Sequence, residues 1–217
     1  MKLEDMSWDE AVKKCRGKVI LVPHGSTEEH GYHLPLKTDA LSAEKVCAEF
    51  YGSKTMIVAP VIAYAGLHAT KQMPGTIGPN PEEYKKWIVT IVSDFMKLKP
   101  KKVIFFLGHD GRTARRAFKK AKKRFRRIEY FGYHEGGKKA IEREIISSTG
   151  HAGEGETSLM LYLDRKNVKM ARAVDERWPK KGVSKSGVDG WPSKATATKG
   201  KKLFKLYVEM VKEALDK

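Results

Sequence analysis

Residues 23–40 concentrate side chains that could bind a metal ion or move a proton. The stretch holds seven such residues: His24, Glu28, Glu29, His30, His33, Thr38 and Asp39. Three of the protein's seven histidines fall within it. Mixed imidazole and carboxylate ligands suit zinc, manganese or ferrous iron rather than a calcium cage or a thiolate site. We therefore take this stretch as the candidate active site.

Two further polar clusters occupy residues 108–112 and 150–157. Like the first cluster, they follow apolar strands or precede helices. Because the carboxyl ends of parallel strands meet at one edge of a sheet, the three clusters are expected to converge. Glu28 and His30 are two residues apart and point the same way in an extended chain. Asp39 could fold back as a third ligand, and His109 could supply a fourth.

A site of this composition favours metal-assisted hydrolysis. A carboxylate that bridges two ions about 3.5–4 Å apart is typical of two-metal hydrolases, and Asp39 is the bridging candidate. Such ions lower the pKa of a bound water to about 7 and polarise a carbonyl group. A neighbouring general acid would protonate the leaving nitrogen.

The positions of these clusters depend on alternating strands and helices. Apolar runs predict strands at 18–23, 55–59, 103–107 and 128–133. Helical spacing predicts helices at 7–15, 39–51, 80–98, 113–125, 137–147, 158–163 and 199–215. This alternation predicts an α/β fold with a mainly parallel sheet covered on both faces. Residues 61–81 and 176–200 are predicted to be irregular, and residues 1–217 to form a single domain.

Composition limits the partners and the compartment. A formal charge of +17 attracts anions such as phosphorylated metabolites, nucleic acid or acidic membrane surfaces. No apolar run approaches the length of a membrane span, and the N-terminus lacks the apolar segment of a secretory signal. Cys15 and Cys47 are isolated thiols, which predicts a reducing, cytoplasmic location and buried cysteines without a disulfide.

Residues 112–127 form a strongly basic segment with ten Lys or Arg and no acid. Its small and aromatic residues recur at spacings of three and four, so one narrow face packs and a broad cationic face meets solvent. The cationic face could be only solvated, attract a phosphorylated substrate through Arg112, or contact nucleic acid. Nucleic acid is the less favoured partner because Phe118 and Phe125 lie on the packed face, which removes the aromatics needed for base stacking.

Four separated stretches resemble the creatininase family of metal-dependent amidohydrolases. Residues 25–39 are similar to the family pattern Gly-Ser-x-Glu-x-His-Gly-x-His-Leu-Pro-x-x-Thr-Asp. Residues 74–77 resemble its Pro-Gly-Thr loop, and Gly108-His109 its Asn-Gly-His motif. Residues 151–158 resemble its His-Ala-Gly-Glu-x-Glu-Thr-Ser motif. Together the similar stretches span about residues 18–203.

The resemblance implies a three-layer α/β/α fold, two divalent metal ions (Zn, Mn or Fe(II)) and a homo-oligomer, either a dimer or a hexamer. It implies that Asp39 bridges the ions. The implied metal ligands are Glu28, His30, Asp39, His109 and Glu156. His151 matches the acid/base histidine, and Glu154 is a second catalytic candidate. His33, His68 and Arg112 are candidates for contacting substrate, whereas His24 and Glu29 are expected to be structural.

Departures from the family pattern cluster around His109. Asp110 replaces a Gly, Arg112 replaces an Asn, and Gly111 stands where creatininase has a Glu ligand. Thr70 stands where the family often has a His. We therefore expect an intact metal site with an altered substrate-facing wall.

The expected reaction is hydrolysis of a cyclic amide or formamide C–N bond in a small molecule, which could be phosphorylated. One alternative is the deformylase of archaeal flavin and deazaflavin synthesis, which acts on 2-amino-5-formylamino-6-ribosylaminopyrimidin-4(3H)-one 5'-monophosphate. A second alternative is a non-catalytic metal-binding scaffold or nucleic-acid-binding protein.

Overall fold

A four-stranded parallel sheet forms the centre of the computed structural model, which describes residues 1–215. Its strands are β1 (Val19–His24), β2 (Met56–Val58), β3 (Lys102–Leu107) and β4 (Ile128–Gly132). The spatial order is β2-β1-β3-β4. In β1, Leu21 pairs with Val58 of β2 on one side and with Ile104 of β3 on the other. The predicted mainly parallel sheet is confirmed.

Within residues 1–215, seven α-helices connect and cover the strands. They are α1 (Trp8–Cys15), α2 (Thr38–Ala48), α3 (Pro81–Lys97), α4 (Arg112–Arg124), α5 (Tyr133–Glu142), α6 (Glu154–Leu163) and α7 (Ala197–Leu215). Three short 3₁₀ turns lie at Arg165–Asn167, Met170–Arg172 and Pro192–Lys194. The expected irregular segments at 61–81 and 176–200 contain no strand among the described residues.

Helix α5 lies earlier in the chain than the predicted 137–147, because it begins at Tyr133 and ends at Glu142. Gly136 and Gly137 lower helix propensity, which favours a later start. They are buried, however, and a Cβ on Gly136 would lie 2.2 Å from Cε1 of Tyr207. The missing side chain lets α5 pack directly on α7, and this tertiary contact outweighs the local preference.

Both faces of the sheet are buried, which explains the continuous apolar runs in its strands. Leu21, Ile104 and Phe106 pack in one cluster with residues of α2, α6 and α7. The alternate strand residues Ile20 and Phe105 pack in the other cluster with residues of α3 and α4. The three-layer α/β/α architecture is therefore confirmed.

The chain changes direction across the sheet at β1. From β1 it passes through α2 to β2 on one side, and then through α3 to β3 on the other side of β1. Such a reversal opens a crevice beyond the carboxyl ends of the two neighbouring strands, where open α/β sheets bind their ligands. The polar segments at 25–39 and 108–112 follow these two strands.

Cys15 and Cys47 are both buried free thiols, as expected. Among the described residues, no helix is both long enough and apolar enough to cross a bilayer.

Candidate metal centre and catalytic cavity

Five predicted metal ligands meet at the crevice between β1 and β3. Glu28 and His30 belong to the loop that follows β1, and Asp39 lies in the first turn of α2. His109 follows β3, and Glu156 lies in the first turn of α6. The fold thus brings together residues from four parts of the chain that are up to 128 positions apart in sequence.

Asp39 lies between two groups of candidate ligands. Its Oδ1 is 3.0 Å from Nε2 of His30, and its Oδ2 is 3.2 Å from Nδ1 of His109. Glu28 Oε2 lies 2.9 Å from the same His109 nitrogen. Glu156 Oε2 lies 3.7 Å from Nε2 of His30. The first group consists of Glu28, Asp39 and His109, and the second of His30, Asp39 and Glu156. Within each group the ligand atoms lie within 4.8 Å of one another.

Neighbouring polar groups orient these ligands. The ring of His30 places Nδ1 3.0 Å from the carbonyl oxygen of Glu28, to which Nδ1–H donates, and this bond turns Nε2 toward Asp39 Oδ1, the side from which Nε2 would bind a metal ion. The hydroxyl of Ser26 lies 2.7 Å from Asp39 Oδ2 and 3.1 Å from Glu28 Oε2. The hydroxyl of Thr70 donates to Glu28 Oε1. Sequence reasoning missed both hydroxyls: Ser26 lies within the first motif, but Thr70 is 42 residues from Glu28.

Burial and mutual charge perturb the titration of these groups. Burial opposes ionisation of Glu28, but the adjacent His109 lowers the pKa of that carboxyl to about 2. Burial also disfavours a charged His109, yet Glu28 and Asp39 raise its pKa to about 10. The pKa of Asp39 is lowered by His30 and His109 against the effect of burial. The two carboxylates therefore need positive charge nearby.

The donor set fits divalent metal ions. Within residues 1–215, none of the hydrogen-bond or ion-pair contacts of Glu28, Asp39 and Glu156 comes from Lys or Arg. Within the described residues, imidazoles are the only cationic groups among the contacts of these three buried or half-buried carboxylates. Nitrogen and oxygen donors without sulfur suit Zn, Mn or Fe(II).

His151 lies beside this cluster. Its Nε2 is 2.7 Å from the carbonyl oxygen of Glu29 and 3.0 Å from Glu29 Oε1. The centroid of its ring is 4.4 Å from that of His30 and 5.5 Å from that of Trp178. His151 belongs to neither group that shares Asp39, but one of its ring nitrogens forms a third group with Glu28 and His30, in which the ligand atoms also lie within 4.8 Å of one another.

Glu154 does not join the cluster. Its Oε2 accepts hydrogen bonds from the backbone N–H of Ser147 (2.9 Å) and the hydroxyl of Ser147 (2.6 Å). Its Oε1 forms a 2.6 Å ion pair with Lys199. The side chain is fully buried and ties α6 to α7 and to the loop after α5.

His24 and His33 are also buried away from the cavity. Nε2 of His24 lies 2.7 Å from the hydroxyl oxygen of Tyr84, and burial lowers the pKa of His24 to about 3. Nε2 of His33 lies 2.9 Å from Thr157 Oγ1, and burial lowers the pKa of His33 to about 4. His33 was predicted to contact substrate, but it is not among the residues that line the cavity.

A cavity of about 1010 Å³ opens over the candidate ligands. The exposed residues His68 and Arg112, both predicted to contact substrate, line it. Further cationic residues at its wall are Arg116, Lys138 and Lys180. Within the described chain, Arg112 and these three residues form no ion pair. Their charge remains available to an anion in the cavity.

The altered segment after β3 is held by an ion-pair network that sequence reasoning missed. Asp110 accepts hydrogen bonds from the backbone N–H of His134 (2.8 Å) and from Arg115 Nη2 (2.9 Å). Arg115 Nη2 also donates to Glu135 Oε2. The network joins the turn after β3 to the start of α5, and so fixes the backbone next to His109.

A family model described as "Creatininase: Creatinine amidohydrolase" matches residues 4–215. Two curated relatives are described as mycofactocin precursor peptide peptidases. The protein of Mycolicibacterium smegmatis is 29% identical, over 92% of this chain and 83% of the relative. That of Mycobacterium ulcerans is 30% identical, over 91% and 83%.

Solved creatininases have the same fold. A structure described as creatinine amidohydrolase (creatininase) is 19% identical, with a TM-score of 0.82 over 99% of this chain and 96% of the other. A structure described as the manganese form is 20% identical, with a TM-score of 0.81 over the same shares. A zinc–zinc form of a creatininase variant is 19% identical, with a TM-score of 0.79 and the same coverage.

Proposed function

The chain belongs to the creatininase family, and we propose that it is a metal-dependent amidohydrolase that opens a non-peptide C–N bond in an anionic small molecule. The observation that carries this proposal is the position of Asp39, whose two carboxylate oxygens approach different histidines. Two ions of Zn, Mn or Fe(II) would be held by the two groups that share Asp39. The manganese and zinc–zinc forms of solved creatininases support this choice of metal.

When bound, such ions activate a water molecule and polarise the carbonyl group that it attacks. The chain's own residues supply the rest of the mechanism. Glu28 and Asp39 are kept in place by the hydroxyls of Ser26 and Thr70. His151, at the cavity wall beside His30, transfers a proton to the leaving nitrogen as the general acid. Glu154 serves as a structural anchor of α6 through Lys199.

The substrate is an anion. Four cations that form no ion pair within residues 1–215 line the cavity, namely Arg112, Arg116, Lys138 and Lys180, and the whole chain carries a formal charge of +17. In a phosphorylated cyclic amide or formamide, the phosphate would bind the cationic wall and the amide bond would reach the metal site. The formylamino pyrimidine nucleotide of the deformylase reaction is one such molecule.

Peptide-bond cleavage is a second candidate. The curated relatives, 29% and 30% identical over about nine-tenths of this chain, are described as peptide peptidases. A cavity of about 1010 Å³ is large enough for several residues of a peptide. The same ligands and the same general acid would serve this reaction, since both bonds are amides.

Assembly into a homo-oligomer, a dimer or a hexamer, is part of the proposal. The large apolar side chains of Trp8 and Ile77 are 81% and 55% exposed, which supports burial against another copy.

Metal content and substrate screening test the proposal. We expect about two equivalents of metal per chain, lost in Asp39→Asn and kept in the control Asp94→Asn, which alters an exposed carboxylate on α3. Metal-loaded protein should hydrolyse at least one probe among cyclic amides, the formylamino pyrimidine nucleotide and acidic peptides.

A chain that stays metal-free after metal supplementation and cleaves none of these probes would contradict the proposal. Salt-sensitive binding of duplex DNA that survives Asp39→Asn, but disappears when the exposed Lys119, Lys120, Lys122 and Lys123 are neutralised, would instead support the nucleic-acid-binding scaffold.

A further inference from the structure

We propose that Glu29 is a positioning residue that holds His151 with its proton on Nε2, and thereby leaves Nδ1 as the nitrogen that exchanges a proton with the substrate. This inference rests on the proposed function, in which His151 is the general acid. It concerns a residue that was expected from the sequence to be structural. Glu29 and His151 are 122 positions apart, so the sequence does not indicate their contact.

Both neighbours of His151 Nε2 are hydrogen-bond acceptors. The carbonyl oxygen of Glu29 lies 2.7 Å away, and Oε1 of the same residue lies 3.0 Å away. A backbone carbonyl and an ionised carboxylate cannot donate, so Nε2 must carry the hydrogen. Nδ1 makes no hydrogen bond to any residue in 1–215, and the ring lines the cavity. Nδ1 is therefore the nitrogen open to substrate.

The two carboxylate oxygens of Glu29 each accept from a different donor. Oε1 accepts from His151 Nε2, and Oε2 accepts from the backbone N–H of Gly31 at 3.0 Å. An amide has only one oxygen, so a glutamine here would turn its NH₂ group toward one of these N–H donors. The site is thus specific for a carboxylate, although glutamine has nearly the same shape.

The segment 176–190 closes over this pair. Gly187 has φ +84, and a Cβ at that position would lie 1.9 Å from Glu29 Oε2. The carbonyl oxygen of Gly187 accepts from Trp178 Nε1 at 2.9 Å, and the backbone N–H of Asp189 donates to the carbonyl oxygen of His151 at 2.8 Å. Glu29 is 6% exposed as a result. The carboxylate is therefore fixed by its surroundings and can fix the imidazole in turn.

The tautomer of His151 tests the inference directly. We would label histidine with ¹⁵N in the Zn-loaded protein, assign His151 through a His151→Asn variant, and record the spectrum at a pH where the ring is neutral. The wild type and the control Glu49→Gln, an exposed position on the end of α2, should show only the Nε2–H tautomer. Glu29→Gln should show a mixture of both tautomers.

Kinetics provide the second readout. For whichever probe is hydrolysed, Glu29→Gln should lower kcat by about 10- to 100-fold, the size of effect seen when the carboxylate partner of a functional histidine is removed. KM should stay within about twofold, because Glu29 does not line the cavity.

A wild-type His151 with its proton on Nδ1 would overturn the inference, and so would a Glu29→Gln variant with unchanged tautomer and kcat. The wild-type spectrum decides the matter even if Glu29→Gln does not fold. If no probe is hydrolysed, the proposed function fails alone, since the tautomer is measured without turnover.

Discussion

Individual side chains decide which carboxylates can serve the metal centre. Glu154 and Glu156 are two residues apart in the same motif, and the helix directs them differently. Glu156 lies near His30, whereas Glu154 accepts a hydrogen bond from Ser147 and forms an ion pair with Lys199. Spacing within a motif therefore does not assign a role when the segment is helical, because residues i and i+2 do not share a face.

Replacing Glu154 should affect stability. Glu154→Gln removes charged hydrogen bonds to Ser147 and the ion pair to Lys199, so we expect the free energy of unfolding to fall by about 2 kcal/mol at pH 7. Urea denaturation would measure this change. In the control Glu209→Gln, which breaks an exposed ion pair with Arg143, the loss should stay below about 1 kcal/mol.

The same comparison has a defined pH dependence. Burial raises the pKa of Glu154, but Lys199 and Ser147 outweigh it and lower the pKa in the folded state. A carboxylate with a lowered pKa stabilises the fold above its unfolded pKa of about 4.3, and this contribution disappears as the pH falls through the folded pKa. The difference between wild type and Glu154→Gln should therefore shrink below about pH 4. A constant difference from pH 7 to pH 3 would contradict this account.

Elements place the ligands through close backbone contacts. Two glycines after β1 and β3 allow α2 to begin directly over the strand ends. A Cβ on Gly25 would lie 2.4 Å from Cα of Ala40, and one on Gly108 would lie 2.2 Å from the carbonyl oxygen of Asp39. Asp39 reaches the centre between His30 and His109 only because its helix approaches this closely.

Gly108→Ala should therefore damage the metal centre. The added methyl group must displace the first turn of α2, and we expect a loss of about 1–3 kcal/mol in stability. We also expect the folded variant to bind metal more weakly, as measured by chelator competition. The control Gly52→Ala has open space around its Cβ and should bind metal like the wild type. Unchanged metal affinity in Gly108→Ala would show that Asp39 does not depend on this contact.

At the scale of the whole molecule, topology locates the crevice and net charge determines what is drawn to it. The reversal of strand order at β1 creates the crevice beyond β1 and β3. The formal charge of +17 attracts anions to the whole surface, and four cations at the cavity wall that form no ion pair within residues 1–215 can focus this attraction. Such focusing accelerates encounter with anions and weakens with salt.

The substrate charge can be tested by ionic strength. For an anionic substrate, kcat/KM should fall by about tenfold between low and high salt, and Arg112→Gln with Arg116→Gln should flatten this dependence. The control double variant Lys201→Gln with Lys202→Gln removes the same amount of charge, but from the exposed face of α7. Its kcat/KM should depend on salt more strongly than that of the arginine double variant. A salt-independent kcat/KM would contradict an anionic substrate.

The sequence by itself determined the α/β class, the strands and most helix boundaries. It also determined the family, with its hydrolase activity and the chemical types of the candidate ligands. These follow from local patterns: apolar runs long enough for buried strands, helical spacing, and motifs such as residues 25–39 and 151–158. The early start of α5 was missed because packing against Tyr207 overrides glycine's low helix propensity.

Only the tertiary structure decided the strand order, the sharing of Asp39 between two histidines, and the exclusion of Glu154 from the cluster. It alone joined Thr70 to Glu28, Arg115 to Glu135 and Glu29 to His151. These contacts connect segments whose separation in sequence carries no signal, and they form because helices pack against a common sheet and direct particular side chains into one crevice. Residue types are fixed by the chain, whereas the partners of each residue are fixed by packing.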